Sequence, residues 1–227
     1  MGKRVVVLSL GGSLIIPNEI DIVFLRKFRE VIRKNTNKCK FVIVCGGGSI
    51  ARKYISALRE DGKSEYLQNL AGISVTRLNA RFMSYFFSQD PEEGIAHDMK
   101  NVSNLLRKHD VIFCGALRYA PNQTSDATAC RLAAFLETDF INLTNVKGLY
   151  DKNPELKGAK FIPKISINEF NKIVMAIPEK PGMHAPVDHT AMRIIREKNI
   201  KTYIIGKDAK QLNNLLNNRK FIGTTIG

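Results

Sequence analysis

The sequence predicts an α/β protein built on a mainly parallel central sheet, and three observations carry that prediction. The apolar run 41–44 shows no in/out alternation, as expected of a strand covered on both faces, and residues 4–10 read as a first buried strand. Both run straight into glycine turns, Gly11-Gly12-Ser13 after the first and Gly46-Gly47-Gly48 after the second. Helical stripes separate the apolar runs, with Phe24, Leu25, Phe28, Val31 and Ile32 marking the first. Strand, turn and helix alternating in this way place ligand sites at the carboxyl ends of the strands.

Each element has a local reason. Residues 4–10 form a buried strand, and Asp21 is placed as the N-cap of a helix over 22–35. The stretch 41–55 reads as strand, phosphate-binding turn and helix, with its strand central and its helix opened by Ser49. Residues 64–89 are mostly helical, with Leu67, Leu70, Ile73, Val75, Leu78 and Phe82 inward and Pro91 as the stop. A short strand is expected at 94–96, a helix at 99–108 and a strand at 111–114. A polar loop with Pro121 leads to Thr124, Ser125 and Asp126, which cap a helix reaching Leu136. After the strand 140–143 comes TNVKGLY (144–150), then a turn-rich basic stretch at 151–163. The remainder reads as helix 167–177, a Pro/Gly loop at 179–186, helix 188–198, strand 202–205, helix 209–217 and a closing edge strand at 224–226. No linker or repeat separates these pieces, so one domain over 1–227 with two lobes is expected, divided near residue 140.

Composition narrows the function classes. With 44% hydrophobic and 25% charged residues, the 227-residue chain is an ordinary globular sequence, able to bury on the order of 70% of its unfolded surface. Its net charge of +14 predicts attraction for anions such as nucleotides and phosphates. The 35 Lys and Arg residues are spread without runs, and neither an RNA-binding aromatic signature nor zinc-finger spacing occurs, so no specific nucleic acid is expected. Cys39, Cys45, Cys114 and Cys130 include no C-x-x-C pair and read as buried reduced thiols of a cytoplasmic protein. The apolar stretch after Lys3 and Arg4 is cut short by Gly11 and Gly12 without a cleavage site, and no stretch is long enough for a membrane helix.

Neither glycine turn is a Walker A loop or a G-x-G-x-x-G fingerprint, and no clean acidic partner for a dinucleotide follows. Two glycine turns plus the Thr-Ser-Asp helix start give three anion sites on one sheet. One phosphate-bearing ligand does not need three; two ligands meeting phosphate to phosphate do. That points to phosphoryl transfer, in which catalysis is alignment and charge neutralisation. Arg52, about one turn into its helix, is placed to fold back on a phosphate bidentately.

The segments SLGGS (9–13), CGGGSIARKY (45–54), GISVTRLNA (72–80), TSDATA (124–129), TNVKGLY and GTTI (223–226) resemble the amino-acid kinase superfamily, and within it the archaeal type of uridylate (UMP) kinase. The resemblance runs nearly the full length in the same order; GGGxxAR and TRLNA belong to that branch. It implies a three-layer α/β/α sandwich, transfer from ATP to UMP giving ADP and UDP for pyrimidine nucleotide synthesis, and Mg²⁺ bridging the ATP phosphates with no metal ligand assigned to the protein. It also implies a homo-oligomer, a hexamer built as a trimer of dimers. By position, Gly11, Gly12, Ser13, Gly48 and Arg52 would cradle the ATP phosphates, and Thr144, Asn145, Tyr150 and Asn153 would hold the adenosine end. Gly47, Asn69, Thr124 and Ser125 would hold UMP, with the lobe 1–140 binding the acceptor and 141–227 the nucleotide donor. Arg52 and Ser9 fall at catalytic positions, and Asp188 at a helix start near the site.

Four positions depart from the resemblance. Ser9 stands where many members carry Lys, and a hydroxyl cannot replace an ammonium on a transferring phosphoryl. Asn69 replaces an Asp expected at the ribose hydroxyls, a loss of charge assistance worth about 1 kcal/mol. Lys147 and Asn153 also stand where Asp is usual, and Lys53, Lys147 or Lys152 are the lysines available to compensate. Two alternatives follow. One is a phosphotransferase of this fold with another acceptor, such as isopentenyl phosphate, although that kinase family uses a histidine and none lies in the glycine turns. The other is a nucleotide- or anion-binding protein without turnover. His97, His109, His184 and His189 read as surface residues, and the cluster Phe82, Tyr85, Phe86, Phe87 as core or subunit interface.

Overall fold

Five strands run parallel: β1 (Arg4–Leu10), β2 (Cys39–Cys45), β3 (Val111–Cys114), β4 (Phe140–Leu143) and β8 (Thr202–Ile205). Strand β9 (Thr224–Ile226) lies antiparallel to β8, and β7 (Lys164–Ile165) parallel to β9, giving one sheet in the order β3-β2-β1-β4-β8-β9-β7. A separate antiparallel ribbon pairs β5 (Leu149–Tyr150) with β6 (Phe161–Ile162). The computed structural model describes residues 2–89, 95–117, 124–178 and 186–227.

The described helices are α1 (Gly12–Ile15), α2 (Ile22–Asn35), α3 (Gly48–Glu60), α4 (Glu65–Phe86), α5 (Met99–Lys108), α6 (Ser125–Phe135), α7 (Ile167–Ala176), α8 (His189–Lys198) and α9 (Ala209–Leu216). Helices α2, α4 and α9 cover one face of the sheet and α6 with α7 and α8 the other, so the architecture is a three-layer sandwich. Phe41, Val42, Ile43 and Val44 are all fully buried between these layers, which is why β2 carries no alternation. Helix starts follow capping chemistry. Asp21, Ser64, Thr124, Ser166 and Asp188 each accept a backbone N–H two or three residues into α2, α4, α6, α7 and α8. Asp21 also pairs with Lys207 just after β8, and the ammonium hydrogen bond holds its carboxyl below the ordinary range.

The structure differs from the sequence expectation at several points. β2 is interior but second from the end, while β1 and β4 occupy the middle. β9 is not an edge strand, because β7 pairs on its outer side. Strands of two residues have no readable periodicity, so β5, β6 and β7 were not expected. Ile95 and Ala96 are buried without forming a strand, and Gly94, Pro91, Pro121 and His184 lie outside the described residues. In α4, Leu67 and Leu78 face solvent at 43% and 58% exposure, whereas Ile73 and Val75 are buried. Phe87 packs edge-on against Phe28 and Phe113 in the core, but Tyr85 is exposed. His97 and His109 are exposed, whereas His189 is half-buried with Nε2 on the carbonyls of Val174 and Ile177 at 3.1 and 2.9 Å, closing the end of α7.

The two glycine turns meet backbone to backbone above the sheet. A Cβ on Gly12 would stand 2.0 Å from the Gly48 nitrogen and 2.8 Å from the Gly46 carbonyl carbon. Gly48 itself has φ +65, and a Cβ there would meet the Gly12 oxygen at 2.6 Å. Replacing Gly12 with Ala forces backbone apart rather than a flexible side chain, so Gly12→Ala is expected to destabilise the fold by about 3 kcal/mol. Urea unfolding followed by circular dichroism checks this; an unchanged midpoint would show that the turns can separate freely.

Candidate active site

Because β1, β2, β3, β4 and β8 are parallel, their carboxyl ends share one edge of the sheet, and every turn singled out in the sequence emerges there. β1 carries its sequence neighbour β2 on one side and β4 on the other, so the chain's winding reverses at β1 and leaves a crevice above it. The glycine turns stand on the β1–β2 side. The segment after β4, with Thr144 and Asn145, stands on the other side beside β8, through Thr144 N–H donating to the Ile205 carbonyl at 2.9 Å.

Not every amide in the glycine turns is available to a ligand. The Gly11 N–H donates to the Leu143 carbonyl and the Gly46 N–H to the Leu10 carbonyl, each at 3.0 Å. Helix α3 begins at Gly48 with Gly47 as its N-cap, one turn-residue earlier than expected. Ser49 does not cap it: both its N–H and its Oγ donate to the Ile16 carbonyl, at 3.2 and 3.1 Å, tying the second glycine turn to the first. What remains are the first-turn amides of α1 at Gly12 and Ser13 and those of Gly47 and Gly48, which helix geometry leaves without intrahelical acceptors. Arg52 follows on α3, exposed, its guanidinium bonded to no other described residue.

Between these turns and α6 lies a polar centre of one buried and three more accessible side chains, Ser9 with Asp126, Thr124 and Asp188. Ser9, fully buried on β1, donates from Oγ to Asp126 Oδ1 at 2.6 Å. Thr124 donates from Oγ1 to Asp188 Oδ2 while accepting the Ala127 N–H at 3.0 Å, so the starts of α6 and α8 are pinned together. Asp188 Oδ1 accepts the Ala191 N–H at 2.9 Å. Loss of hydration pushes the Asp126 carboxyl up to about 7, the Asp188 charge pushes the same way, and the Ser9 hydrogen bond opposes both. Among the described residues neither carboxylate has a Lys or Arg ion-pair partner. The nearby thiols are inert: burial raises Cys45 and Cys130 and pushes Cys114 up to about 12.

Of the other expected site residues, Ser125 opens α6, half-buried. Asn69 sits half-buried in the second turn of α4. Tyr150 packs edge-on against Phe161 across the β5–β6 ribbon at 5.5 Å, and Asn153 Oδ1 accepts the Glu155 N–H at 3.0 Å in an exposed turn. Lys147 is exposed, with its Cα 3.0 Å from where a Cβ of Gly206 would stand. Two residues escaped the sequence reading as site members. Asp126 looked like a cap, yet Thr124 caps the helix and Asp126 faces Ser9. Asn142, level with Ser9 on the adjacent strand, is 3% exposed and donates from Nδ2 to the Pro186 carbonyl at 2.8 Å, holding the chain just before Asp188. A polar residue within an apolar strand run was the available signal for Asn142.

Free amides on one side, an unengaged arginine and a crowded carboxylate pair in a crevice suit phosphate-bearing ligands aligned end to end. A model of the Amino acid kinase family matches residues 4–206. The uridylate kinase of Thermococcus kodakarensis is 31% identical over 224 residues, covering 97% of this chain and 98% of that one. The uridylate kinase of Methanosarcina barkeri is 35% identical over 214 residues, covering 93% and 91%. The crystal structure of uridylate kinase from Archaeoglobus fulgidus superposes with a TM-score of 0.83 at 32% identity, covering 99% of this chain and all of that one.

The Asp126 carboxyl binds its proton more tightly in the folded chain, at about 7 against an ordinary 3.8. Its contribution to stability is therefore complete below about pH 4 and is lost as pH rises through about 7. Asp126→Asn removes that loss and is expected to be on the order of 2 kcal/mol more stable than wild type at pH 8, with no such gain at pH 4. Urea unfolding at the two pH values checks the sign.

Proposed function

The chain belongs to the amino acid kinase family, and from that premise we propose that it is a UMP kinase, transferring the γ-phosphoryl of ATP to UMP to give ADP and UDP. The observation that carries this reading is the opposed pair of glycine turns at the crevice above β1, with the Ser9–Asp126 pair at its floor. Two anion cradles at one crevice suit a donor and an acceptor whose phosphates meet.

In this reading the lobe 141–227 holds the donor: Thr144, Asn145, Tyr150 and Asn153 border adenosine. Gly12 and Ser13 with Gly48 cradle its phosphates through their amides, whereas Gly11 serves by anchoring the turn to β4. The lobe 1–140 holds UMP, with Gly47 and the helix start at Thr124 and Ser125 at its phosphate and Asn69 toward its ribose. Arg52 closes on the transferring phosphoryl, and its charge counts most there because transfer is limited by alignment and charge. Ser9 keeps the Asp126 carboxyl oriented but adds no positive charge.

Mg²⁺ accompanies ATP in this proposal. The donor set fits such an ion: Asp126 and Asp188 repel each other without a described cationic partner, and hard oxygen ligands suit Mg²⁺. No group of three or more His, Cys, Asp or Glu residues that could hold a metal occurs among the described residues, and oxygen ligands beyond Asp126 and Asp188 would come from the ATP phosphates. When bound, the ion neutralises phosphate charge, and Asp126 and Asp188 are the residues that would hold it. The fully buried Ser9 hydroxyl, where a charge would help, favours one second reading, a nucleotide-binding protein without turnover.

A homo-oligomer, as a hexamer of three dimers in the cytoplasm, completes the proposal. Leu67, Leu78 and Tyr85 share one exposed face of α4, and Tyr54 and Tyr66 are likewise exposed, apolar side chains that a partner subunit would cover. No described helix is long and apolar enough to cross a membrane.

An ADP-release assay with Mg·ATP against UMP, CMP, AMP and isopentenyl phosphate tests the activity. Turnover selective for UMP is expected, with Arg52→Ala lowering kcat/KM about 100-fold. Absence of turnover with every acceptor, in protein that still binds ATP, would transfer the weight to the binding-only reading. Light scattering tests assembly: Leu78→Glu is expected to reduce the particle mass, and an unchanged mass would remove α4 from the interface.

A further inference from the structure

The TRLNA segment lies on α4, away from both glycine turns in sequence, and the proposed chemistry leaves it without a task. Its side chains nevertheless reach the ends of two strands. Asn79, 6% exposed, donates from Nδ2 to the Gly46 carbonyl at 2.7 Å. Thr76, 8% exposed, accepts the Ala116 N–H on Oγ1 at 3.0 Å and donates the same hydroxyl to the Ile73 carbonyl of its own helix at 2.7 Å. Arg77 donates from Nε to the Ala116 carbonyl at 3.0 Å and from Nη2 to the Leu117 carbonyl. Ala80, between these polar groups and the core, is fully buried.

We propose that Thr76, Arg77 and Asn79 are positioning residues that hold the turn after β2 and the turn after β3 in fixed register, so that a nucleoside monophosphate acceptor meets both at once. In a trans peptide the N–H points opposite the C=O, so an Asn79 bond to the Gly46 carbonyl aims the Gly47 amide away from α4. That amide is one of the few in the turn not already engaged. After β3, the Thr76 and Arg77 bonds take up the Ala116 N–H and two consecutive carbonyls, which fixes the chain direction at Ala116 and Leu117. One rigid helix thus sets the spacing between the phosphate turn and the acceptor side. Side-chain bonds to backbone are suited to this, because buried carbonyls left unmatched are costly. A Cβ at Gly115 would stand 2.6 Å from both the Arg77 nitrogen and the Thr76 hydroxyl, so the helix and the turn touch with no room for slack.

The inference rests on the UMP kinase reading for its substrate, and the test keeps the two apart. Thr76→Val, Thr76→Ser and Asn79→Leu are compared with wild type by steady-state kinetics and by hydrogen exchange of the segments 45–50 and 114–117. Thr76→Val and Asn79→Leu are expected to raise KM for UMP about tenfold, with kcat and KM for ATP changed by less than about threefold. Faster exchange is expected at 114–117 in Thr76→Val and at 45–50 in Asn79→Leu, while Thr76→Ser, which keeps the hydroxyl, restores wild-type behaviour in both readouts. Equal loss against both substrates, or exchange unchanged in folded variants, would overturn the positioning role. Should wild type prove inactive toward UMP, the UMP reading falls, and the exchange pattern with the Thr76→Ser rescue still decides whether α4 holds the two turns.

Discussion

The close approach of the turn after β1 to the turn after β2 is the constraint on which the site depends. With the Gly12 Cα hydrogen pointing at the Gly48 amide, no side chain of any size fits between them. Packing two main chains this tightly brings amide groups from different elements into one small volume, a concentration of fixed partial positive charge that no arrangement of lysines reproduces. The approach is stabilised from three directions: Gly46 on Leu10, Ser49 on Ile16, and Gly11 on Leu143. Because each is a backbone acceptor within or just after an ordered element, the cradle inherits the rigidity of the sheet.

Against this positive rim the floor of the crevice is acidic, and among the described residues no Lys or Arg pairs with its carboxylates. Ser9 gives Asp126 a single neutral hydrogen bond, while burial and Asp188 both work against ionisation. A carboxylate so placed is costly to ionise, and a nearby positive charge would favour its charged form. The protein's net charge of +14 lies mostly at the surface, where it draws anions inward by long-range attraction but does not settle the balance at the floor.

Much of the fold was legible because the apolar runs of β1 and β2, the stripe of α2 and the caps at Asp21, Thr124 and Asp188 are local signals that agree with one another. The strand pairs of two residues were not legible, since they exist only through partners distant in sequence, as β7 does through β9. The inward assignment of Leu67 and Leu78 failed because hydrophobicity alone does not say which face of a helix is turned to the core, and in α4 that face is the one bearing Ile73 and Met83. At the site, the placement of the glycine turns after β1 and β2 and of Arg52 about one turn into α3 was readable from spacing. The amides already spent on Leu143 and Leu10 were not, nor was the turn of Asp126 toward Ser9, because both depend on how β4 and α6 settle beside β1. The four departures flagged in the sequence stay physically distinct: Ser9 is buried at the centre, Asn69 half-buried, Lys147 and Asn153 exposed.

The position of β9 has a bearing on how the molecule is made. Synthesis delivers β8 some twenty residues before Thr224–Ile226, and β7 far earlier, yet β9 lies between them and bonds to both. Until β9 docks, the chain leaves one flank of β8 open and β7 without its neighbour. Exposed strand flanks invite pairing with other chains, so the flanks of β8 and β7 that β9 covers are where a chain without its last strand would join its own copies.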